Sequence, residues 1–166
     1  MKTIYSDKIA RIIKSKKRLE KILEIKIIIK NSEIIISGKP ENEYIAEKVI
    51  EALNFGFPFK AATSIKQEDK NFEVIHIKDY TRRKDLKTIR ARIIGTGGKA
   101  LKTITNLTNC NFELNENTMG IIGKPENIEN AIEGLTSIIR GSKHGDVYKG
   151  LERSHPQEVI DLGLKE

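Results

Sequence analysis

The sequence predicts an α+β protein made of two related units in tandem, and three observations lead there. The segment Ile36-Ser37-Gly38-Lys39-Pro40-Glu41-Asn42 recurs as Ile121-Ile122-Gly123-Lys124-Pro125-Glu126-Asn127, identical at six of seven positions and displaced by 85 residues, Gly38 against Gly123. At that displacement Ala46 matches Ala131, Ile25 matches Cys110 and Ile27 matches Phe112, so strands and a helix repeat together. Finally, stretches in which apolar and polar residues alternate are interspersed with stretches in which apolar residues return every three or four positions. Further upstream the displacement shrinks: Leu19 and Ile22 lie 82 residues before Leu101 and Ile104, and Ile12-Ile13 lies 81 before Ile93-Ile94. The first copy has therefore lost residues around its loop and second helix.

In the first unit the pattern predicts a strand over Lys2 to Tyr5 and short helices on either side of a loop, Lys14-Ser15-Lys16-Lys17. Strands at Ile25 to Ile29 and Glu33 to Ser37 follow, then a helix from about Glu41 to Phe55. Between the units, Gly56 to Lys70 contains Phe57-Pro58-Phe59-Lys60-Ala61-Ala62, which reads as a turn into a short connecting helix able to pack both halves together. The second unit opens with a strand, Phe72 to Lys78, that places Phe72, Val74 and His76 on one face and Glu73, Ile75 and Ile77 on the other. Asp85 can cap a short helix carrying Leu86, Ile89, Ile93 and Ile94 into a glycine loop. Leu101, Ile104 and Leu107 form one stripe of a second helix, which Thr108-Asn109 ends. A strand from Cys110 to Leu114, a turn at Asn115-Glu116-Asn117 and a strand from Thr118 to Ile122 come next. Pro125 then starts a long helix with Ile128, Ala131, Ile132, Leu135 and Ile139 inward. Arg140 to Gly145 breaks that helix, and Asp146 can cap another containing Val147, Tyr148 and Leu151.

Composition narrows the functional classes. With 38% hydrophobic and 32% charged residues over 166 positions, the chain has the make-up of a globular protein. Thirty Lys and Arg against 23 Asp and Glu leave a formal charge of +7, which favours RNA, DNA or an acidic membrane surface as partner. Cys110 stands alone, so it forms no internal disulfide or thiolate metal site and reads as a small buried residue. His76, His144 and His155 are far apart in sequence, and each reads as a structural histidine rather than a metal ligand. No apolar run approaches the roughly 20 residues of a membrane span, and Met1 to Asp7 lacks a secretory core, so the expected location is the cytoplasm. Neither a nucleophile with a base nor a carboxylate pair is apparent, and no enzymatic activity and no cofactor are expected.

The segment Ile93-Ile94-Gly95-Thr96-Gly97-Gly98-Lys99-Ala100-Leu101 carries the strongest chemical signal. Glycines let an anionic backbone approach main-chain N–H groups, and the helix start behind them adds about half a positive charge. A P-loop would need glycine where Ile93 stands and Ser or Thr where Ala100 follows the lysine. The dinucleotide pattern G-x-G-x-x-G/A is matched literally by Gly95 to Ala100, with Glu113 or Glu116 near the acidic position. It remains the weaker alternative: Arg90 and Arg92 interrupt the segment that should be a buried strand, and no further βαβ unit is present.

The third phosphate-binding device is the G-x-x-G loop of a K-homology (KH) domain, which joins two helices and clamps about four nucleotides. Ile93-Ile94-Gly95-Thr96-Gly97-Gly98-Lys99, followed by Leu101, Ile104, Thr108 and Phe112, resembles that family's pattern residue by residue. The resemblance implies two tandem type I KH domains (βααββα), each a three-stranded antiparallel sheet covered by helices on one face, plus a C-terminal helix. The expected boundaries are 1–56 for a first domain with a degenerate loop, 57–70 for a connecting segment, 71–141 for a second domain with an intact loop, and 142–166 for a helical tail. Gly95, Thr96, Gly97 and Gly98 would form the clamp. Lys99, Lys102, Arg90 and Arg92 can neutralise phosphates, and Ile94, Leu101 and Phe112 can line the groove for bases. Lys14, Lys16 and Lys17 of the first loop, with Arg82 and Arg83 in the strip Tyr80 to Lys84, are secondary candidates.

The degenerate first loop, Gly56-Phe57, the intact second loop and the tail Gly141-Ser142-Lys143-His144-Gly145-Asp146-Val147-Tyr148-Lys149-Gly150-Leu151-Glu152-Arg153 extend the likeness over nearly the whole chain. Together they resemble the archaeal two-KH relatives of the small-subunit ribosome assembly factor family called partner of Nob-One. That resemblance implies binding of single-stranded RNA, precursor small-subunit rRNA near its 3′ end, beside a maturation endonuclease and a translation-initiation factor subunit. A general KH regulator of RNA and a protein-interaction scaffold are the alternative readings.

Overall fold

The computed structural model describes residues 1–154. In the first half the alternating segments become strands β1 (Lys2–Tyr5), β2 (Ile25–Lys30) and β3 (Glu33–Gly38), with helix α1 (Ile9–Leu23) before β2 and α2 (Pro40–Phe55) after β3. The strands are antiparallel in the order β1-β3-β2. Helix α3 (Phe59–Gln67) leads to the second half. There β4 (Asn71–His76), β5 (Asn111–Asn115) and β6 (Thr118–Gly123) repeat the arrangement in the order β4-β6-β5. Helices α4 (Leu86–Ile94) and α5 (Lys99–Thr108) lie between β4 and β5, α6 (Pro125–Ile139) follows β6, and α7 (His144–Ser154) ends the described chain. No helix among the described residues is long and apolar enough to cross a membrane.

The first half departs from expectation at its centre. Lys14-Ser15-Lys16-Lys17 is not a loop between two helices but the middle of α1, one helix of 15 residues. Two physical reasons account for this. None of the four residues is a helix breaker, and the net loss of four positions relative to the second copy is about one helical turn, so the apolar stripe stays in phase. Ile12, Leu19 and Leu23, spaced by seven and four, are all buried on one side of that unbroken helix.

Each unit has its own core. Ile4, Ile12, Leu19, Ile27, Ile34, Ile36 and the inner face of α2 make the first, and α3 belongs to it through Ala61, Ala62 and Ile65. Ile75, Ile77, Ile89, Ile93, Ile104, Ile121, Leu135 and Ile138 make the second, joined by Val147 and Leu151 of α7. The tail thus packs on the second unit, with Leu151 set 3.1 Å from the position a Cβ would take on Gly134. Asp146 lies within the first turn of α7 rather than capping it, because the helix already begins at His144. His155 and the rest of the expected tail, 155–166, lie outside the described residues.

The second sheet has its own helices on one face, as expected, and its other face is not left open. Its far face is covered by the first unit: Ile122 of β6 sits in the first core, and Phe72 packs against it. Phe55, Phe57 and Phe72 form a ring cluster with centroids 5.7 to 6.0 Å apart, two of the three contacts being edge-to-face. Gly120 lies beneath it, where a Cβ would come within 2.8 Å of both Phe55 and Phe57. Arg11 ties the same corner by donating to the carbonyls of Leu53 (2.8 Å) and Phe57, and Asn115 Nδ2 donates to Phe55 O at 3.3 Å. The short Phe57 segment is therefore the wedge between the units. Cys110 is buried, as its flanks predict, and burial pushes its thiol pKa up to about 11.

Candidate nucleic-acid interface

The Asp85 side chain caps α4 by accepting from Thr88 N–H (3.3 Å) and Thr88 Oγ1 (2.6 Å), and these bonds hold its carboxyl below the usual carboxylate range. The helix runs to Ile94 and stops because Gly95 takes φ 77°, ψ 171°, a conformation essentially confined to glycine. One turn, Thr96 to Gly98, reverses direction into α5. Gly98 N–H donates to Gly95 O at 3.1 Å, and Lys99 N–H to Thr96 O. Gly97 (φ 63°, ψ 21°) and Gly98 (φ 78°, ψ 9°) are both left-handed.

The glycines serve different ends. A Cβ on Gly95 would lie 2.6 Å from Ala100 Cβ and 2.7 Å from Ala100 N, so this glycine permits α4 and α5 to approach. A Cβ on Gly97 or Gly98 would meet nothing within 4 Å, so these two keep the outer surface of the turn low. Thr96, Gly97 and Lys99 are exposed, and they stand at the amino end of α5, where the first turn's N–H groups and the helix dipole favour an anion.

Around this turn the expected residues take distinct positions. Lys99 and Lys102 are exposed on the first turn of α5. Ile94 is 37% exposed beside the turn, while Leu101 of α5 and Phe112 of β5 are half-buried against the second core. All three keep apolar surface within reach of solvent. Arg90 donates to Asn117 Oδ1 in the β5–β6 turn. Arg92 is committed elsewhere: its guanidinium donates to Ile138 O (2.5 Å) and Ser142 O (2.6 Å), holding the end of α6. His144 Nε2 meets Arg92 O at 2.8 Å and completes that knot, whereas His76 is exposed at the end of β4. Arg82 and Arg83 are exposed before α4. Lys14 and Lys17 are exposed and Lys16 half-buried on α1, so the first unit offers side-chain charge at this place but no glycine turn.

Sequence reasoning missed Lys78, Lys87 and Asn117, which surround a concavity with Arg82, Arg83, Lys84 and Arg90. A usable signal was present: Lys87, Arg90, Ala91 and Ile94 recur at i, i+3, i+4 and i+7 and leave one face of α4 open, basic in its first half.

A sheet ordered β4-β6-β5, backed by α4, α5 and α6 with a glycine turn joining the first two, defines a type I KH domain. The model of the second KH domain of PNO1 proteins, described as a eukaryotic-type KH domain (KH-domain type I), matches residues 71–156. The chain belongs to the PNO1-type KH family. It is 30% identical over 145 residues to a KH domain-containing protein of Methanocaldococcus jannaschii, covering 83% of this chain and 64% of that one. It is 29% identical over 111 residues to the pre-rRNA-processing protein pno1 of Aspergillus oryzae, covering 64% of this chain and 43% of the other. The chain thus spans less than two thirds of the length of these relatives. Among solved structures it resembles Dim2p from Pyrococcus horikoshii, with TM-score 0.83 and 30% identity over 92% of this chain and 98% of that one. It also resembles a chain of the a/eIF2alpha–aDim2p–rRNA complex from the same organism, with TM-score 0.82 and 31% identity over 92% of each.

Proposed function

We propose that this protein is a tandem-KH RNA-binding factor of small-subunit ribosome assembly, in which the second unit holds single-stranded rRNA near its 3′ end through the Gly95–Gly98 turn. The observation that carries the reading is the contrast between the units: the turn is open, glycine-lined and at a helix start in the second, whereas the same place in the first is unbroken helix. The names of the relatives support the setting, since one is a pre-rRNA-processing protein and a structural neighbour belongs to an rRNA complex. In this reading phosphates lie against the turn and the start of α5, Lys99 and Lys102 neutralise them, and bases rest on Ile94, Leu101 and Phe112. The first unit then contributes charge alone, or a face for a protein partner such as a maturation endonuclease or an initiation-factor subunit.

Thr96→Asp with Gly97→Asp tests this, because both positions are exposed and aspartate tolerates the left-handed backbone of Gly97. Affinity for single-stranded rRNA 3′-end sequence should fall at least tenfold with little change in melting temperature. Unchanged affinity would remove the turn from the RNA site.

A further inference from the structure

We infer that the second unit holds RNA beyond the glycine turn, in a basic bowl at the opposite end of α4 that binds the phosphates of a neighbouring stretch of the same strand. The inference rests on the reading that this chain binds RNA. The bowl is formed where the chain between β4 and α4 bends around the β5–β6 turn, and its wall carries Lys78, Arg82, Arg83, Lys84, Lys87 and Arg90. Against these stands one carboxylate, Asp85, which is already occupied by the Thr88 amide and hydroxyl. Five of the six cations are exposed, and none of the six forms an ion pair within 4.0 Å among the described residues. Such a concentration of unneutralised charge on a concave surface favours a polyanion, and in a wall without exposed aromatic rings the backbone, not the bases, is what it reads.

Continuity with the glycine turn is what makes the bowl part of one track. Helix α4 spans nine residues, so its ends are separated by about 13 Å. The stripe Lys87, Arg90, Ala91, Ile94 runs along one side of it, beginning in the bowl wall and ending at the turn. Arg90 bonds Asn117 across to the β5–β6 turn, fixing a guanidinium midway along the path. A strand leaving the clamp along this stripe meets positive charge without crossing an acidic side chain of α4, which has none.

The test compares single-stranded RNAs of about 5 and about 15 nucleotides taken from rRNA 3′-end sequence, the shorter just filling a KH clamp and the longer able to reach further. Arg82→Glu with Arg83→Glu, both exposed, should lower affinity for the longer RNA at least tenfold and change the shorter less than twofold. The slope of log K against log salt for the longer RNA should shrink by about 1.4, the value for two phosphate contacts to a single strand. Equal losses for both lengths, or no loss for either, would overturn the bowl; the second result is the one an acidic protein partner would give. The Thr96→Asp/Gly97→Asp variant separates the two claims, because it should weaken both lengths. If wild-type protein binds neither RNA, the RNA reading itself has failed.

Discussion

Replacing Gly95 with alanine should destabilise the second unit by about 2 to 6 kcal/mol, whereas the same change two residues on should cost only about 1 kcal/mol. The two positions share a positive φ, but they differ in ψ and in their surroundings. At Gly95 the backbone (φ 77°, ψ 171°) lies in a region an L-residue occupies at about 1 to 3 kcal/mol. The new Cβ also lands 2.6 Å from Ala100 Cβ and 2.7 Å from Ala100 N, and backbone cannot swing away as a side-chain tip can. Relieving that overlap means displacing the first turn of α5, an overpacking cost of about 1 to 3 kcal/mol. At Gly97 the conformation (φ 63°, ψ 21°) is ordinary left-handed helix, and no atom lies within 4 Å of the added methyl. For a chain of this size each kcal/mol shifts the melting temperature by about 2 to 4 °C, so thermal unfolding should drop about 10 °C for Gly95→Ala and about 3 °C for Gly97→Ala. If the proposed RNA site is right, RNA binding by the folded proteins should order them differently, since the methyl on Gly97 would stand where a phosphate backbone approaches. Equal thermal losses at the two positions would refute this division of labour between a packing glycine and a surface glycine.

The junction between the units offers two further expectations. Gly120→Ala pushes a methyl to within 2.8 Å of Phe55 and Phe57, and it should cost about 1 to 3 kcal/mol in urea unfolding while leaving RNA affinity nearly unchanged. Glu113 faces the same junction, with its Cγ 3.4 Å from where a Gly56 side chain would begin; burial raises its pKa, against the opposing pull of Arg11 and Lys8. The stability linked to a raised carboxylate is fully present below the ordinary glutamate pKa and is lost as pH rises through the raised value. Glu113→Gln should therefore be more stable than wild type near pH 7.5, with the advantage vanishing below about pH 4. A Gln variant less stable at neutral pH would show that the Arg11 and Lys8 attraction outweighs burial.

The sequence by itself determined the two related units, the element order of the second and the glycine turn, because each follows from local rules. Period-two and period-3.6 patterning, Asp85 as a cap, the left-handed Asn109 closing α5 and the glycines of the turn depend only on neighbours a few residues away. The unbroken α1 was legible too, in the buried spacing of Ile12, Leu19 and Leu23, but the lysine run drew attention to the loop expected by analogy with the second copy. Tertiary structure alone decided three things. The far face of the second sheet is covered, because Phe55, Phe57 and Phe72, separated by up to 17 positions, meet only when the units dock. Arg92 is bound to the carbonyls of Ile138, near the end of α6, and Ser142, just beyond it, a pairing 46 and 50 residues distant. The bowl joins cations before and along α4 to Asn117, and only the fold could bring that turn to them. Local propensity is written in short windows of sequence, but which faces are buried and which charges remain free depends on partners that the chain reaches by folding.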